Sequence, residues 1–219
     1  MTSFFCSWSG GKDSCLALYR AMQRGGRIPK LLFTMMTENK DRSHSHGLPI
    51  PILEEQARSL GVPLIRRSAS WADYEAVFLD ALGEFRGQGI TTGVFGDIDL
   101  EPHRAWVERV CQTAGIRAEE PLWQEARQDL LREFLNAGFK AVVVSIKEGV
   151  LDRKFLGRLL SFDLIQEFEA AGIDPSGEKG EYHTVVVDGP AFSFPVRIEF
   201  KEQEYHEGYW FQDLASLEG

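Results

Sequence analysis

The segment SWSGGKDS, Ser7–Ser14, concentrates groups that can hold a phosphate. It follows a short apolar run and precedes a helical pattern, which is the strand–loop–helix layout of phosphate-binding loops. Gly10 and Gly11 allow the backbone to approach phosphate oxygens closely, and Lys12 adds a positive charge. The serines add hydroxyl donors. The expected phosphate contacts come from Ser9, Gly10, Gly11, Lys12, Asp13 and Ser14.

Two carboxylates indicate that a metal ion accompanies the phosphates. Asp13 lies inside the loop, where a negative charge beside an anion is explained if it holds Mg²⁺. Asp97 follows Gly96 at the predicted carboxyl end of the fourth strand, so it faces the same edge of a parallel sheet. A helix-capping role for Asp97 stays open, although Asp99 suits that role better. The predicted metal ligands are Asp13 and Asp97.

The loop does not match the other common phosphate-binding motifs. The pattern GxxxxGK[ST] would need glycine at Cys6 and a hydroxyl residue at Asp13. The dinucleotide pattern GxGxxG is also missing from the sequence. The remaining alternative is a glycine-rich strand-to-helix turn that binds no ligand.

A second group of polar residues lies in the sequence GEKGEYHT, residues 177–184. Glu181 and His183 are two positions apart on a predicted strand, so they point to one face. A carboxylate beside an imidazole can orient ammonia, remove its proton or hold a polar substrate. Glu178 precedes them in a glycine-rich turn. The alternative is a solvated hairpin with local hydrogen bonds.

His44 and His46 lie in a long polar loop, residues 37–51, after the second predicted strand. A third or fourth metal ligand is not evident nearby in the sequence, so the pair does not indicate a metal site. The position of the loop favours a lid over the bound ligand. An ordinary exposed loop is the alternative.

The elements that position these residues alternate between strand and helix in the first half of the chain. Apolar runs predict strands at Ser3–Trp8, Lys30–Met36, Pro63–Arg67 and Ile90–Ile98. Helical periodicity follows each of these runs. This alternation predicts an α/β fold with a parallel sheet and helices on both faces.

The regular alternation of strand and helix ends after Ala118. This change predicts a phosphate-binding domain at 1–118 and a second, smaller α/β (α+β) substrate domain at 119–219. The second domain has a strong strand at Phe139–Lys147 and β-like runs at Tyr182–Asp188 and Val196–Phe200. The acidic, aromatic tail from Glu202 is expected to be partly mobile.

The composition limits the possible functions. The 219 residues carry a formal net charge of −9, which argues against a broad DNA or RNA footprint. The longest apolar run is far too short to span a membrane, and the amino terminus has no pattern of a signal peptide. Three cysteines form no CxxC pair and are expected to be reduced core thiols of a cytoplasmic protein.

Several motifs together resemble one family. SGGKDS after the first strand resembles the pyrophosphate loop of the N-type ATP pyrophosphatases, which cleave ATP between the α and β phosphates. Further motifs stand in the order of the diphthine–ammonia ligase-like family, and they cover nearly the whole chain. These motifs are GVFGDID at 93–99, PLW at 121–123, LGR at 156–158 and GEKGEYHTVVVDGP at 177–190.

The resemblance implies a Rossmann-like (HUP) domain with a five-stranded parallel sheet, and it implies ATP and Mg²⁺ as cofactors. It also implies that the adenine lies beside Phe33, Thr34 and Met35, with Gly96 and Asp97 near the nucleotide. The implied reaction is adenylation of a substrate carboxylate followed by amidation with ammonia. Its catalytic residues would be Lys12, Asp13, Glu178, Glu181 and His183.

The acceptor implied by the resemblance differs from diphthine. Eukaryotic and archaeal ligases read GEYET where this chain has Gly180–Thr184, so His183 replaces a glutamate. That form is similar to bacterial members, and bacteria lack diphthamide. A small-molecule or protein-borne carboxylate is expected, with corrinoid-related amides as one class. The sequence leaves the oligomeric state open, a homodimer included.

Two other functions remain as alternatives. A tRNA-modifying enzyme with the same loop is disfavoured by the acidic charge, and the lack of CxxC pairs argues against the thiolases among such enzymes. A non-catalytic sensor of adenine nucleotides is disfavoured by the second group of glycines and carboxylates.

Overall fold

The computed structural model describes residues 2–39, 42–44 and 46–217. Its helices are α1 (Lys12–Gln23), α2 (Ile50–Leu60), α3 (Tyr74–Gly87), α4 (Glu101–Ala114), α5 (Arg127–Asn136) and α6 (Phe162–Ala170), with a 3₁₀ turn at Arg153–Phe155. Its strands are β1 (Thr2–Ser7), β2 (Arg27–Met36), β3 (Leu64–Ser68), β4 (Thr92–Val94), β5 (Arg117–Glu119), β6 (Lys140–Lys147), β7 (Tyr182–Asp188), β8 (Ile198–His206) and β9 (Tyr209–Ser216).

The chain forms two compact units. The first comprises residues 1–9, 13–44 and 61–125, and the second comprises residues 10–12, 45–60 and 126–219. The chain thus passes from one unit to the other within the glycine loop and again around α2. The domain limits 1–118 and 119–219 stay a prediction.

The first unit contains a five-stranded parallel sheet in the order β3-β2-β1-β4-β5. Successive residues of β1 point to opposite faces. On one face Phe5 packs in a core with α3 and α4, including Phe33, Phe78 and Phe85. Next to it in β1, Cys6 lies against the start of α1, with its Sγ 3.8 Å from the Ser14 carbonyl oxygen. The predicted parallel sheet with helices on both faces is confirmed.

The second unit contains a four-stranded sheet in the order β7-β6-β9-β8. Its neighbouring strands are antiparallel, and β6 is buried over six consecutive residues. The predicted strands at 139–147 and 182–188 are confirmed. The expectation of a partly mobile tail from Glu202 is wrong, because β8 and β9 form a hairpin that pairs with β6.

Cys6, Cys15 and Cys111 are buried and form no disulfide. Burial raises the pKa of each thiol, that of Cys111 to about 12, with a smaller contribution from the Glu120 carboxylate. The three thiols are therefore core residues, as the sequence predicts. Within the described residues, no helix combines the length and the apolar character that crossing a bilayer needs.

Candidate active site

The first unit places the start of α1 at the carboxyl end of β1. The backbone N–H of Trp8 donates to the Phe33 carbonyl at 2.8 Å, and the Thr34 hydroxyl donates to the Trp8 carbonyl at 2.6 Å. These bonds extend the pairing of β1 and β2 to the beginning of the loop. Ser9 and Ser14 then hydrogen-bond each other through their hydroxyl groups at 3.0 Å. The two predicted serines are thus brought together.

Phe33, Thr34 and Met35 are all buried. Phe33 and Met35 are core side chains, and the Thr34 hydroxyl is used in the bond to Trp8. The Met35 carbonyl accepts from the His44 N–H at 3.1 Å. The side chains therefore stabilise the sheet, and the position of the adenine beside this segment stays a prediction.

Gly96 brings the end of β4 against the start of α1. A Cβ atom at Gly96 would lie 2.9 Å from both the Asp13 carbonyl carbon and the Ser14 nitrogen, so only glycine fits. Asp97 is the next residue in the chain after this contact with the loop backbone. Asp97 Oδ1 lies 3.3 Å from Nδ1 of His103, a histidine in the first turn of α4.

The second unit holds the middle of the loop. Gly10 has φ +80°, a conformation that glycine adopts without strain. Its carbonyl accepts from the Val186 N–H and from Gln56 Nε2, both at 2.9 Å. Gln56 is fully buried, and its amide also donates to the Val186 carbonyl at 2.7 Å. Gln56 and β7 therefore fix the backbone at Gly10.

Lys12 is held by the glycine-rich turn at residues 177–180 and by β7. Its backbone N–H donates to Thr184 Oγ1 at 3.1 Å, and its Nζ lies 3.5 Å from Glu178 Oε1. The Lys12 side chain is only 8% exposed and that of Glu178 only 14%. The structure thus brings together Lys12 and Glu178, two residues that the sequence predicts as catalytic.

Glu181 and His183 are the remaining predicted residues of this unit. Glu181 is buried immediately before β7, and its Oε2 accepts from the Lys179 N–H at 2.9 Å. The His183 ring lies 4.7 Å from the His46 ring between centroids. Burial first, and then the positive charges of His46 and Lys12, lower the pKa of His183 well below 6.5. His183 is therefore neutral at pH 7.

The two histidines of the long loop belong to different units. His44 Nε2 lies 2.8 Å from the Ala69 carbonyl oxygen, and its ring packs on Trp71 with 4.5 Å between centroids. His46 Nδ1 lies 2.9 Å from the Thr184 carbonyl oxygen. Among the described residues, no group of three or more His, Cys, Asp and Glu side chains is arranged for a metal ion. The lid stays a prediction.

Sequence reasoning missed Gln56 and Thr184. Gln56 is one polar position in the sequence of a short helix, and Thr184 is predicted on the strand face opposite Glu181 and His183. Their bonds to Gly10 and Lys12 join positions 46 and 172 residues apart in the chain. A single sequence carries no signal for such pairs.

The chain matches two family models, described as the diphthamide synthase N-terminal domain (residues 3–118) and the diphthamide synthase C-terminal domain (residues 126–217). It is 27% identical to the mouse protein named diphthine–ammonia ligase and 26% identical to the human one, in each case over 95% of this chain and 87% of the relative. The fission yeast protein of that name is 27% identical over 90% of this chain and 36% of its own length. Among solved structures, the chain is similar to a protein from Methanocaldococcus jannaschii that is described as a predicted subunit of tRNA methyltransferase. The two chains are 17% identical with a TM-score of 0.47, over 86% of this chain and 98% of that one.

Proposed function

Because the chain belongs to the diphthamide synthase family, we propose that it is an ATP-dependent ligase that forms a carbon–nitrogen bond. A substrate carboxylate oxygen attacks the α-phosphorus of ATP, the bond to the β-phosphate breaks, and pyrophosphate leaves. Ammonia then attacks the acyl carbon, AMP leaves with the bonding electron pair, and a proton is released. The name of the mouse and human relatives, diphthine–ammonia ligase, supports this reaction class.

The observation that carries the proposal is the surroundings of Lys12. A lysine that is 8% exposed keeps its charge out of water, and the 3.5 Å separation from Glu178 is long for a charge-assisted hydrogen bond. A phosphate group beside Lys12 would place negative charge against its ammonium group. Lys12 also begins α1, so the helix dipole adds to its positive potential. This combination suits the negative charge that develops as pyrophosphate leaves.

The loop supplies the remaining phosphate contacts in this proposal. Ser9 and Ser14 would donate from their hydroxyl groups, and Gly10 and Gly11 would donate from their backbone N–H groups. Their geometry is fixed by contacts to the protein, so little ordering is needed on binding.

Asp13 and Asp97 are proposed to hold Mg²⁺. Mg²⁺ keeps several waters and usually takes one or two protein carboxylates plus phosphate oxygens. Asp13 lies in the first turn of α1, and Asp97 follows the glycine that contacts the Asp13 backbone. This pair of hard oxygen ligands suits such a shared site, although it does not suit a cage built from protein side chains alone. Bound Mg²⁺ would offset the charge on the leaving pyrophosphate.

Glu178, Glu181 and His183 are proposed to hold the acceptor and ammonia. Glu178 contacts Lys12. After pyrophosphate has left, the neutral imidazole of His183 can accept a proton from the nitrogen that attacks the acyl carbon. The acceptor is a small-molecule or protein-borne carboxylate, with corrinoid-related amides as one class. The reaction needs neither DNA nor a membrane, and we place it in the cytoplasm.

The test is to identify the nucleotide product. The protein is incubated with ATP, Mg²⁺ and ammonium, with and without a cell metabolite extract, and AMP is resolved from ADP. We expect AMP and pyrophosphate that depend on the extract. ADP and phosphate would refute the proposal, and ATP binding without turnover on any fraction would favour the sensor instead.

Matched variants show whether the product comes from this site. Lys12→Ala and Asp13→Asn are each expected to reduce AMP formation by about a hundredfold or more. The controls are Lys30→Ala, an exposed lysine of β2, and Asp163→Asn, an exposed aspartate in the first turn of α6. Similar rates in all four variants would refute the assigned loop.

A further inference from the structure

Two imidazoles lie against the loop in the second unit. The rings of His46 and His183 are 4.7 Å apart between centroids, with 37° between their planes. His46 Nδ1 lies 2.9 Å from the Thr184 carbonyl oxygen. Because a carbonyl oxygen only accepts, this nitrogen carries a proton. The bond fixes both the orientation and the tautomer of the His46 ring.

The His46 ring lies directly on Gly11. A Cβ atom at Gly11 would be 2.1 Å from His46 Cε1 and 3.1 Å from the Thr184 carbonyl oxygen. Thr184 also binds the next residue, since its hydroxyl accepts from the Lys12 N–H at 3.1 Å. One threonine therefore holds the imidazole and the lysine backbone on the same short segment of the loop.

Two positive groups act on the His183 ring. After burial, the charges of His46 and Lys12 oppose a positive charge on this ring. The carboxylate of Glu178 lies towards Lys12 Nζ, and the carboxylate of Glu181 accepts from the Lys179 N–H. The Tyr209 ring lies 6.1 Å from the His183 ring between centroids. An anion placed here would meet a lysine and two imidazoles.

We propose that His46 and His183 bind the β- and γ-phosphates of the nucleotide together with Lys12, and that one of the two imidazoles takes up a proton from solvent as they bind. The inference rests on the proposed function, because it requires that the loop binds ATP. Burial is the main reason why the His183 ring is neutral in the unbound protein, followed by the positive charges of His46 and Lys12. Negative phosphate charge beside the ring favours its charged form against these effects, so the imidazole becomes a charged hydrogen-bond donor. The step adds one proton to a ring nitrogen and breaks no bond.

The property depends on an imidazole at position 183. A carboxylate there would add a negative charge beside the phosphates, whereas the His183 ring can become positive. Nucleotide affinity is thus expected to depend on pH here, with tighter binding at lower pH.

The experiment is titration calorimetry with α,β-methylene-ATP and Mg²⁺ between pH 6.5 and 8.5, in buffers of different ionisation enthalpy. This analogue is not cleaved between the α and β phosphates, so the measurement needs no acceptor. We expect uptake of about half to one proton per nucleotide, and an affinity that falls about threefold to tenfold per pH unit. AMP, which lacks the β- and γ-phosphates, is expected to bind without proton uptake.

Variants of His46 and His183 test whether these two residues take up the proton when the nucleotide binds. His183→Asn and His46→Asn each keep a polar side chain of similar size and are expected to reduce the proton uptake and flatten the pH dependence. His206→Asn is the matched control, because His206 is an exposed residue of β8. Thermal melting of each variant identifies loss of fold, and His183→Gln and His46→Gln replace any variant that does not fold.

The outcomes separate the two proposals. Nucleotide binding without proton uptake in the unmodified protein, or uptake that survives both substitutions, overturns the inference and leaves the proposed function intact. If the unmodified protein does not bind the ATP analogue, both proposals fail. Uptake that is lost in the two histidine variants and kept in the control supports the inference.

Discussion

Glu120 is a buried carboxyl group whose ionisation is expected to destabilise the protein. Its side chain is 6% exposed, and within the described residues Oε1 is buried without a hydrogen bond. The nearest cation is Arg104, whose Nε lies 3.5 Å from Oε2 and only 2.8 Å from Glu108. Burial first, and then the negative charge of Asp97, raise the pKa of Glu120 from 4.5 to about 7, against the opposing effect of Arg104.

The size and sign of the effect follow from this shift. The rise from 4.5 to about 7 corresponds to roughly 3 kcal/mol in the free energy of unfolding. Below pH 4.5 the carboxyl is neutral in the folded and unfolded states and has no effect. As the pH rises towards 7 the unfolded state loses its proton first, so stability falls. Above pH 7 the full cost applies.

Glu120→Gln removes this cost because the amide is neutral at every pH. We expect the variant to match the unmodified protein near pH 4.5 and to be more stable by up to about 3 kcal/mol at pH 8. The measurement is urea unfolding at both pH values with EDTA, so that no metal ion binds Asp97. Glu108→Gln is the control, because Glu108 also binds Arg104 but its side chain is 55% exposed. An equal stability difference at both pH values would refute the reasoning.

Two further predictions concern the loop. Gly11→Ala is expected to cost about 1–3 kcal/mol in loop strain, or roughly tenfold to a hundredfold in nucleotide affinity, because the methyl group would overlap the His46 ring. The same change in a His46→Ala background should cost clearly less, and equal losses would contradict the contact. Gln56→Leu is expected to lower the unfolding free energy by about 1–3 kcal/mol in a denaturant titration, because it leaves the buried Val186 carbonyl short of a donor. The exposed Gln128→Leu should have no such effect.

The sequence predicts the first unit well because its signals are local. Long apolar runs become β1, β2 and β3, and helical periodicity becomes α1, α3 and α4. The fourth strand is shorter than expected, Thr92–Val94 instead of Ile90–Ile98. Gly93 lies against the Phe5 ring, and Gly96 lies against the start of α1. The glycines of this segment therefore serve close packing, and they do not extend the strand.

The end of the chain was harder to predict because β8 lies at the edge of its sheet. Most residues of this strand are exposed, and none is fully buried. The alternation of apolar and polar residues that identifies a half-buried strand stops after Phe200, and the following residues, KEQEYH, lack it. Only the pairing of β8 with β9 shows that this acidic segment is ordered.

The loop at Ser7–Ser14 shows why a binding motif can be predicted from its residue types more readily than the geometry of its backbone can. Its residue types are visible in the sequence, but each central residue is held by a partner from elsewhere in the chain. Gly10 is held by Gln56, Gly11 lies under His46, and Lys12 is bound by Thr184. A loop fixed in this way loses little conformational entropy when it binds phosphate, so its affinity depends on these supporting residues as well as on the motif. Thr184→Val should therefore weaken nucleotide binding, although it leaves every residue of the SGGKDS motif unchanged.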